Sequence, residues 1–260
     1  MRIACRMGDR QDERGIAMIK VYREKDYAAM SRHAADIIAA EIIHKPDCIL
    51  GLATGSTPIG TYENLVEKYE AGELDFAKVR TFNLDEYVGL TPDNDQSYHY
   101  FMKDHLFSHV NIDMDNTHVP DGAAADPDAA CKAYDAAMIA AGGTDIQLLG
   151  LGQNGHVGFN EPADAFPTGT HIVELTQSTI EANSRLFDDI SEVPTRAITM
   201  GIMNIFLAKK ILLVANGPKK ADAVKKMLYG PVTPDVPASI LQLHPDVTVV
   251  VDEEALPEMK

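Results

Sequence analysis

Positive charge is in short supply: 23 Lys and Arg stand against 39 Asp and Glu, a net charge of −16. Nucleic acid is therefore not expected as the main partner. A small anion is not excluded, because a local pocket can be positive on an acidic protein. Cysteine is scarce too. Cys5, Cys48 and Cys131 are far apart and odd in number, which favours reduced thiols in a cytosol and gives no metal-ligand spacing. No apolar run approaches the roughly 20 residues that span a bilayer, and no signal-peptide pattern is seen. Internal repeats, low-complexity segments and linkers are also missing. What remains is the composition of a soluble globular protein, 45% hydrophobic and 24% charged. The 260 residues suffice for one large α/β domain and do not require a second.

Residues 1–17 carry Arg2, Arg6, Arg10 and Arg14 among acids with no strand or helix period. They are expected to be a loosely ordered extension, or an over-long start with Met18 as the native one; an ordered arm is the alternative. Residues 18–260 are expected to form a single domain. Ile19 to Tyr22 is strand-like. From Glu24 to Lys45, Ala28, Met30, Ala34, Ile37, Ile38 and Ile42 recur near helical period until Pro46 ends the run. Asp47 to Ala53 is a buried strand, Pro58 to Tyr69 a helix, Val79 to Tyr87 the next strand and Tyr98 to Phe107 a helix. An alanine-rich helix, Asp126 to Ala141, stops at Gly142-Gly143 before the apolar strand Asp145 to Leu149. Further on, Ile172–Leu175, Ala197–Met200, Lys210–Ala215 and Val247–Val251 read as strands. Thr176–Phe187, Gly201–Ala208, Pro218–Leu228 and Pro237–Leu243 read as helices. This alternation predicts a mainly parallel sheet with helices on both faces.

Three stretches concentrate polar chemistry. In Gly150-Leu151-Gly152-Gln153-Asn154-Gly155-His156-Val157-Gly158-Phe159-Asn160-Glu161-Pro162, a strand runs into a glycine-lined turn. Glycine lets the backbone take positive φ and lets a ligand approach. Asn154, His156 and Glu161 crowd that turn, and a histidine titrating near neutrality can be oriented by such neighbours. A bland alternative is a strand corner with a hydrogen-bonded histidine. Thr54-Gly55-Ser56-Thr57-Pro58 joins a strand to a helix N-terminus, where backbone N–H groups and the dipole suit a phosphate. Thr57 could equally serve as a helix cap. Asp85 and Glu86 end a strand and would point to opposite faces, one into a cleft and one into solvent, unless both belong to a solvated edge. Lys219 and Lys220 at a helix start oppose the dipole, a small cost unless an anion sits there.

In this order, Gly51–Pro58, Thr81–Tyr87, Gly150–Pro162, Ala182-Asn183-Ser184-Arg185 and Leu241–Pro245 resemble glucosamine-6-phosphate deaminases. The resemblance runs from Met18 to the C-terminus. It implies a Rossmann-like three-layer α/β sandwich and the conversion of D-glucosamine 6-phosphate and water to D-fructose 6-phosphate and ammonia, with no metal or organic cofactor. It also implies roles. Asp85 is the base at C2, and His156 handles the ring-opening proton with Asn154 and Glu161 as partners. Thr54, Gly55, Ser56 and Thr57, with Arg185 and Lys220, cradle the phosphate, and Lys219 is a solvated neighbour. Some members carry aspartate in place of Asn154. An amide can orient His156 but cannot stabilise an imidazolium by charge, so Glu161 is expected to supply that term. The pH optimum should differ accordingly from that of the aspartate members.

Two rival readings share the fold. A 6-phosphogluconolactonase has a similar Gly-rich histidine loop but needs no C2 base, so Asn83 to Tyr87 speaks for the deaminase. A phosphosugar-sensing regulator would carry a DNA-binding helix-turn-helix, for which the stretch before Met18 is too short. Some hexameric members bind an activating N-acetylglucosamine 6-phosphate through basic residues just after the active-site loop. Here that segment, Thr168 to Glu174, has no Arg or Lys, and only Asp252 to Lys260 follow the last strand. The expectation is a cytoplasmic, non-allosteric enzyme, favoured as a monomer, with a small phosphosugar as its partner and no membrane contact.

Overall fold

The computed structural model describes residues 19–175 and 193–256. Ten strands and six α-helices are seen among them: β1 (Lys20–Glu24), α1 (Tyr27–His44), β2 (Ile49–Leu52), α2 (Ile59–Glu70), β3 (Arg80–Asn83), β4 (Asp85–Tyr87), α3 (Tyr98–His105), β5 (Thr117–His118), α4 (Pro127–Ala141), β6 (Ile146–Gly150), β7 (His171–Glu174), β8 (Arg196–Thr199), α5 (Ile202–Phe206), β9 (Lys210–Ala215), α6 (Ala221–Tyr229) and β10 (Val247–Asp252). Local signals start and stop them. Asp26 caps α1 by accepting from the Ala29 N–H at 2.8 Å, and Met30, Ala34, Ile38 and Ile42 form its buried stripe. Asp126 caps α4 in the same way, and Gly142, in the left-handed region with φ 86°, ends it.

Seven strands pair in parallel in the order β1-β10-β9-β6-β2-β3-β5, with helices on both sides. The middle strands are mostly apolar and, apart from Gly150 and Lys210 at their ends, buried, as a sheet covered on both faces requires. From β2 the chain builds outward to β3 and β5. It then returns to the other side of β2 for β6, β9 and β10. That reversal lies between β2 and β6, and open α/β sheets bind ligands beyond the carboxyl ends of the strands at such a point.

The expected strand Val79 to Tyr87 is two strands in two sheets. The Leu84 N–H donates to Leu52 O at 3.1 Å, continuing the ladder to β2, while Leu84 O accepts from Met200 N at 2.7 Å. Within one residue the chain leaves the parallel sheet. It enters a separate antiparallel sheet, β4-β8-β7. The strands at 172–175 and 197–200 therefore do not extend the parallel sheet. β5 was not foreseen, since two residues carry no period. The turns at Pro218–Lys220 and Pro237–Leu243 are 3₁₀ rather than α-helical. The helix expected over Thr176 to Phe187, and residues 1–17, lie outside the described residues. Among the described residues no helix is long and apolar enough to cross a membrane.

Candidate active site

The turn after β2, the crossing from β3 to β4, the loop after β6 and the turn after β9 all leave the carboxyl edge of the parallel sheet. In the first, Gly55 has φ 92°, and a Cβ there would meet nothing within 4 Å, so its backbone faces open space. Tyr27 braces the turn: its hydroxyl accepts from Gly60 N at 2.9 Å and lies 3.1 Å from Ser56 O. Thr57 does not cap α2, because Pro58 holds the cap position and no side chain bonds there. The Thr57 hydroxyl instead donates to Asn216 Oδ1 at 2.8 Å, tying this turn to the one after β9. Asp252 fixes that second turn by accepting from Gly217 N at 2.9 Å. Lys220 follows it, partly buried, and burial lowers the pKa of its ammonium below the usual lysine range. Among the described residues no carboxylate pairs with it. Lys219 beside it is exposed, as expected.

The loop after β6 folds back on itself. Gly152 N donates to His156 O at 2.8 Å, and the imidazole packs flat against Gly152, where a Cβ would overlap the ring. Glu161 joins the polar groups: one carboxylate oxygen takes the Asn154 amide at 2.5 Å and the other lies 3.2 Å from His156 Nδ1. Asn154 orients His156 differently from the expected contact with the ring. Its Oδ1 accepts from the His156 backbone N–H at 3.2 Å, and its amide is directed to Glu161. The far half of the loop is pinned to the end of β8. Phe159 N donates to Thr199 Oγ1 at 3.0 Å, and the Asn160 amide donates to Met200 O at 2.9 Å.

Asp85 opens β4 opposite Thr199 and is 5% exposed. Burial, with a smaller contribution from Glu86, pushes its carboxyl up to about 8. Among the described residues no cation is within ion-pair distance of it. A second buried carboxylate, Asp145 at the opposite edge of the sheet, shows the contrast. Burial would raise it, but Lys209 and Lys45, each at 2.6 Å, and the Ile49 N–H hold it below the usual carboxylate range. Asp85 lies against the His156 loop: a Cβ on Gly158, whose φ is 57°, would stand 3.4 Å from Asp85 Oδ2.

Glu86 is not solvated, contrary to expectation. It is 3% exposed, and its carboxylate accepts from the backbone N–H groups of Tyr87, Tyr98 and His99 at 2.8 to 2.9 Å. It thereby caps α3 alongside Ser97. Tyr98, in the first turn of α3, stacks on Phe159 and packs on Tyr87, and its hydroxyl lies 3.3 Å from the Tyr87 hydroxyl. Glu86, Tyr98, Thr199 and Asn216 were not foreseen as parts of the site. Only Glu86, twelve residues before Tyr98 with an acid-then-helix pattern, left a trace in sequence. The structure thus ties the Thr54–Thr57 turn to the Lys220 turn through Thr57 and Asn216, and sets Asp85 against the loop that carries Asn154, His156 and Glu161, at one edge of the sheet. Arg185 lies outside the described residues. Among those, no group of three His, Cys, Asp or Glu is arranged to hold a metal ion.

Over residues 23–250 the chain matches the family described as glucosamine-6-phosphate isomerases/6-phosphogluconolactonase. It is 61% identical over 232 residues to a glucosamine-6-phosphate deaminase of Lachnoclostridium phytofermentans, covering 89% of this chain and 98% of the relative. A glucosamine-6-phosphate deaminase of Clostridioides difficile is 57% identical over 231 residues, covering 89% and 93%. A solved monomeric glucosamine-6-phosphate deaminase superposes with a TM-score of 0.89 at 47% identity, over 91% of this chain and 98% of that one. A 6-phosphogluconolactonase from Thermotoga maritima shares the fold, with a TM-score of 0.70 at 20% identity over 89% and 98%.

Proposed function

The chain belongs to the glucosamine-6-phosphate isomerase and 6-phosphogluconolactonase family, and from that premise we propose that it is a glucosamine-6-phosphate deaminase, converting D-glucosamine 6-phosphate and water to D-fructose 6-phosphate and ammonia. The observation that carries this reading is Asp85: a buried carboxylate without a cation partner among the described residues, set against the loop that holds His156. A lactone hydrolase has no use for a base at C2. An amino sugar brings an ammonium group at C2, which supplies the positive charge the site lacks.

The substrate enters as a closed pyranose. His156 moves a proton from the anomeric hydroxyl to the ring oxygen, and the ring opens to the aldehyde. Glu161, 3.2 Å from Nδ1, balances the charge while the imidazole carries that proton. Asp85 then takes the proton from C2, giving an enolamine. A proton delivered to C1 leaves an imine at C2. Water adds there and its oxygen becomes the ketone as ammonia departs. General acid–base help of this kind is worth roughly 10²–10⁴-fold. At the far end, Thr54, Gly55, Ser56 and Thr57, with Lys220 and Arg185, hold the phosphate; the open space over Gly55 and a Lys220 that no carboxylate among the described residues pairs with support this. Anchoring that end places C1 and C2 over the two catalytic groups.

The proposed enzyme is cytoplasmic and monomeric and works as a single unit. The scarce, buried Cys48 and Cys131 and the monomeric relative of known structure support those points. A coupled assay for both products from glucosamine 6-phosphate tests the activity. Release of neither product, with rapid acid release from 6-phosphogluconolactone, would replace this reading by the lactonase.

A further inference from the structure

A side-chain hydrogen bond joins the two halves of the proposed phosphate cradle: the Thr57 hydroxyl donates to Asn216 Oδ1 at 2.8 Å. Thr57 follows β2 and Asn216 follows β9, and β6 lies between those strands. Neighbouring strands are about 4.8 Å apart, so the two turns leave the sheet roughly 10 Å from each other. The bond therefore spans the width of the strand that feeds the His156 loop. Each partner is also held from behind. The Tyr27 hydroxyl lies 3.1 Å from Ser56 O and 3.2 Å from Thr57 O. On the other side Gly217 takes φ 82°, which a side chain would strain. Its N–H reaches both oxygens of Asp252 at 2.9 and 3.0 Å, and its carbonyl accepts from Lys220 N at 3.1 Å. Asn216 and Lys220 thus belong to one fixed turn.

Resting on the deaminase reading, we infer that Asn216 is a positioning residue: through Thr57 it locks the turn after β2 to the turn that carries Lys220, so the cradle has its width before the substrate arrives. A threonine hydroxyl has one proton to donate. Here that proton goes to Asn216, neither to a phosphate oxygen nor to the start of α2, which no side chain caps. Thr57 then serves the anion through its backbone and its place, and its side chain is a strut. Without the strut, two turns on strands that are not neighbours would have to be drawn together by the phosphate itself. Ordering them at that moment costs affinity, and a cradle set in advance avoids the cost.

The test is a double-mutant cycle with Asn216→Ala and Thr57→Val, read as KM and kcat for glucosamine 6-phosphate and as the Ki of inorganic phosphate against it. Asn216→Ala is expected to raise KM and that Ki together by about tenfold, the scale of one lost hydrogen bond and a looser cradle. The reacting groups stay in place, so kcat should change less than about threefold. The double variant should be no weaker than Thr57→Val alone, because both remove the same bond. Thr57→Ser, which keeps the hydroxyl, should stay near wild type. Asn216→Ser, whose shorter side chain cannot reach Thr57, gives the same reading should Asn216→Ala fail to fold. Losses that multiply would show the Thr57 hydroxyl acting on the phosphate directly, and wild-type KM and Ki in Asn216→Ala would show a merely structural bond; either result overturns the inference. A wild-type protein that releases no ammonia would instead overturn the deaminase reading, and the cycle would then be read on phosphate binding by titration calorimetry.

Discussion

Asp85 carries a large electrostatic anomaly. Its carboxyl is pushed up to about 8 by burial, so the free enzyme holds it protonated at neutral pH. A bound ammonium would reverse this and free the base. The expected outcome is an acid limb in kcat/KM near pH 8 and a lower one in kcat, which reads the substrate complex. Rate profiles with a single limb near the ordinary carboxylate value would contradict it. The same shift sets a stability trend. The folded pKa lies above the unfolded one, about 3.9. The stability contribution is therefore complete below the unfolded value and is lost as pH rises towards about 8. Asp85→Asn should nearly abolish turnover and yet raise Tm, more at pH 9 than at pH 5. C2 hydrogen exchange with deuterated water at the wild-type rate would show that Asp85 is not the base. His156→Gln should harm the closed sugar far more than an open-chain analogue; equal losses would remove ring opening from its role. Gly152→Ala makes a related point through geometry. Its methyl would overlap the imidazole, so the ring must move, and a misplacement near 1 Å costs on the order of 10²-fold in rate.

At the scale of elements, the site is a meeting of strand ends. The turn after β2 and the turn after β9 are joined by the Thr57–Asn216 bond, and Lys220 sits where α6 begins, an unfavourable place for a cation. A bound phosphate offsets that cost. Lys220→Ala is accordingly expected to raise KM for the phosphosugar roughly tenfold or more, the loss of one charge-assisted contact, with Arg185→Ala behaving alike. Unchanged phosphosugar binding in both variants, measured by titration calorimetry, would put the phosphate elsewhere. α3 depends on Glu86, which accepts three backbone N–H groups at its start. Glu86→Gln keeps one acceptor oxygen and should cost about 1–3 kcal/mol of stability, read as a lower urea midpoint at unchanged slope.

At the scale of the whole molecule, the antiparallel sheet β4-β8-β7 binds the site to the segment after the histidine loop. In that segment Thr170 N donates to the Asp135 carboxylate at 3.1 Å, the Asn204 amide meets the same group at 2.5 Å, and Glu174 stands exposed nearby in β7. Asp135 and Glu174, with no Lys or Arg between Thr168 and Glu174, make this a poor place for a phosphate with nearly two negative charges. Hyperbolic kinetics, no activation by N-acetylglucosamine 6-phosphate, and a monomer by light scattering are expected. Sigmoidal rate curves that the acetylated sugar phosphate straightens would contradict the first two, and a hexamer the third.

The strands and helices were legible because their cues are local. Apolar runs such as Ile211 to Ala215, caps such as Asp126 and the left-handed Gly142 act over a few residues of chain. The motif stretches were legible as well, because glycines around His156 and hydroxyls after β2 mark where a backbone must bend or face a ligand. Sequence by itself thus determined the parallel α/β frame and the places where chemistry could gather. It did not show that Asp85 and Glu86 are both buried, that Thr57 binds Asn216 and leaves the cap to Pro58, or that Asn154 holds the backbone of His156. Nor did it show the break at Leu84 between two sheets. The Asn154–His156 contact spans two residues, but the others depend on partners farther along the chain: Met200 for Leu84, Tyr98 and His99 for Glu86, and Asn216 for Thr57. Pairing and burial of that kind arise only when the folded sheet brings distant strand ends together, so the tertiary structure alone decided them.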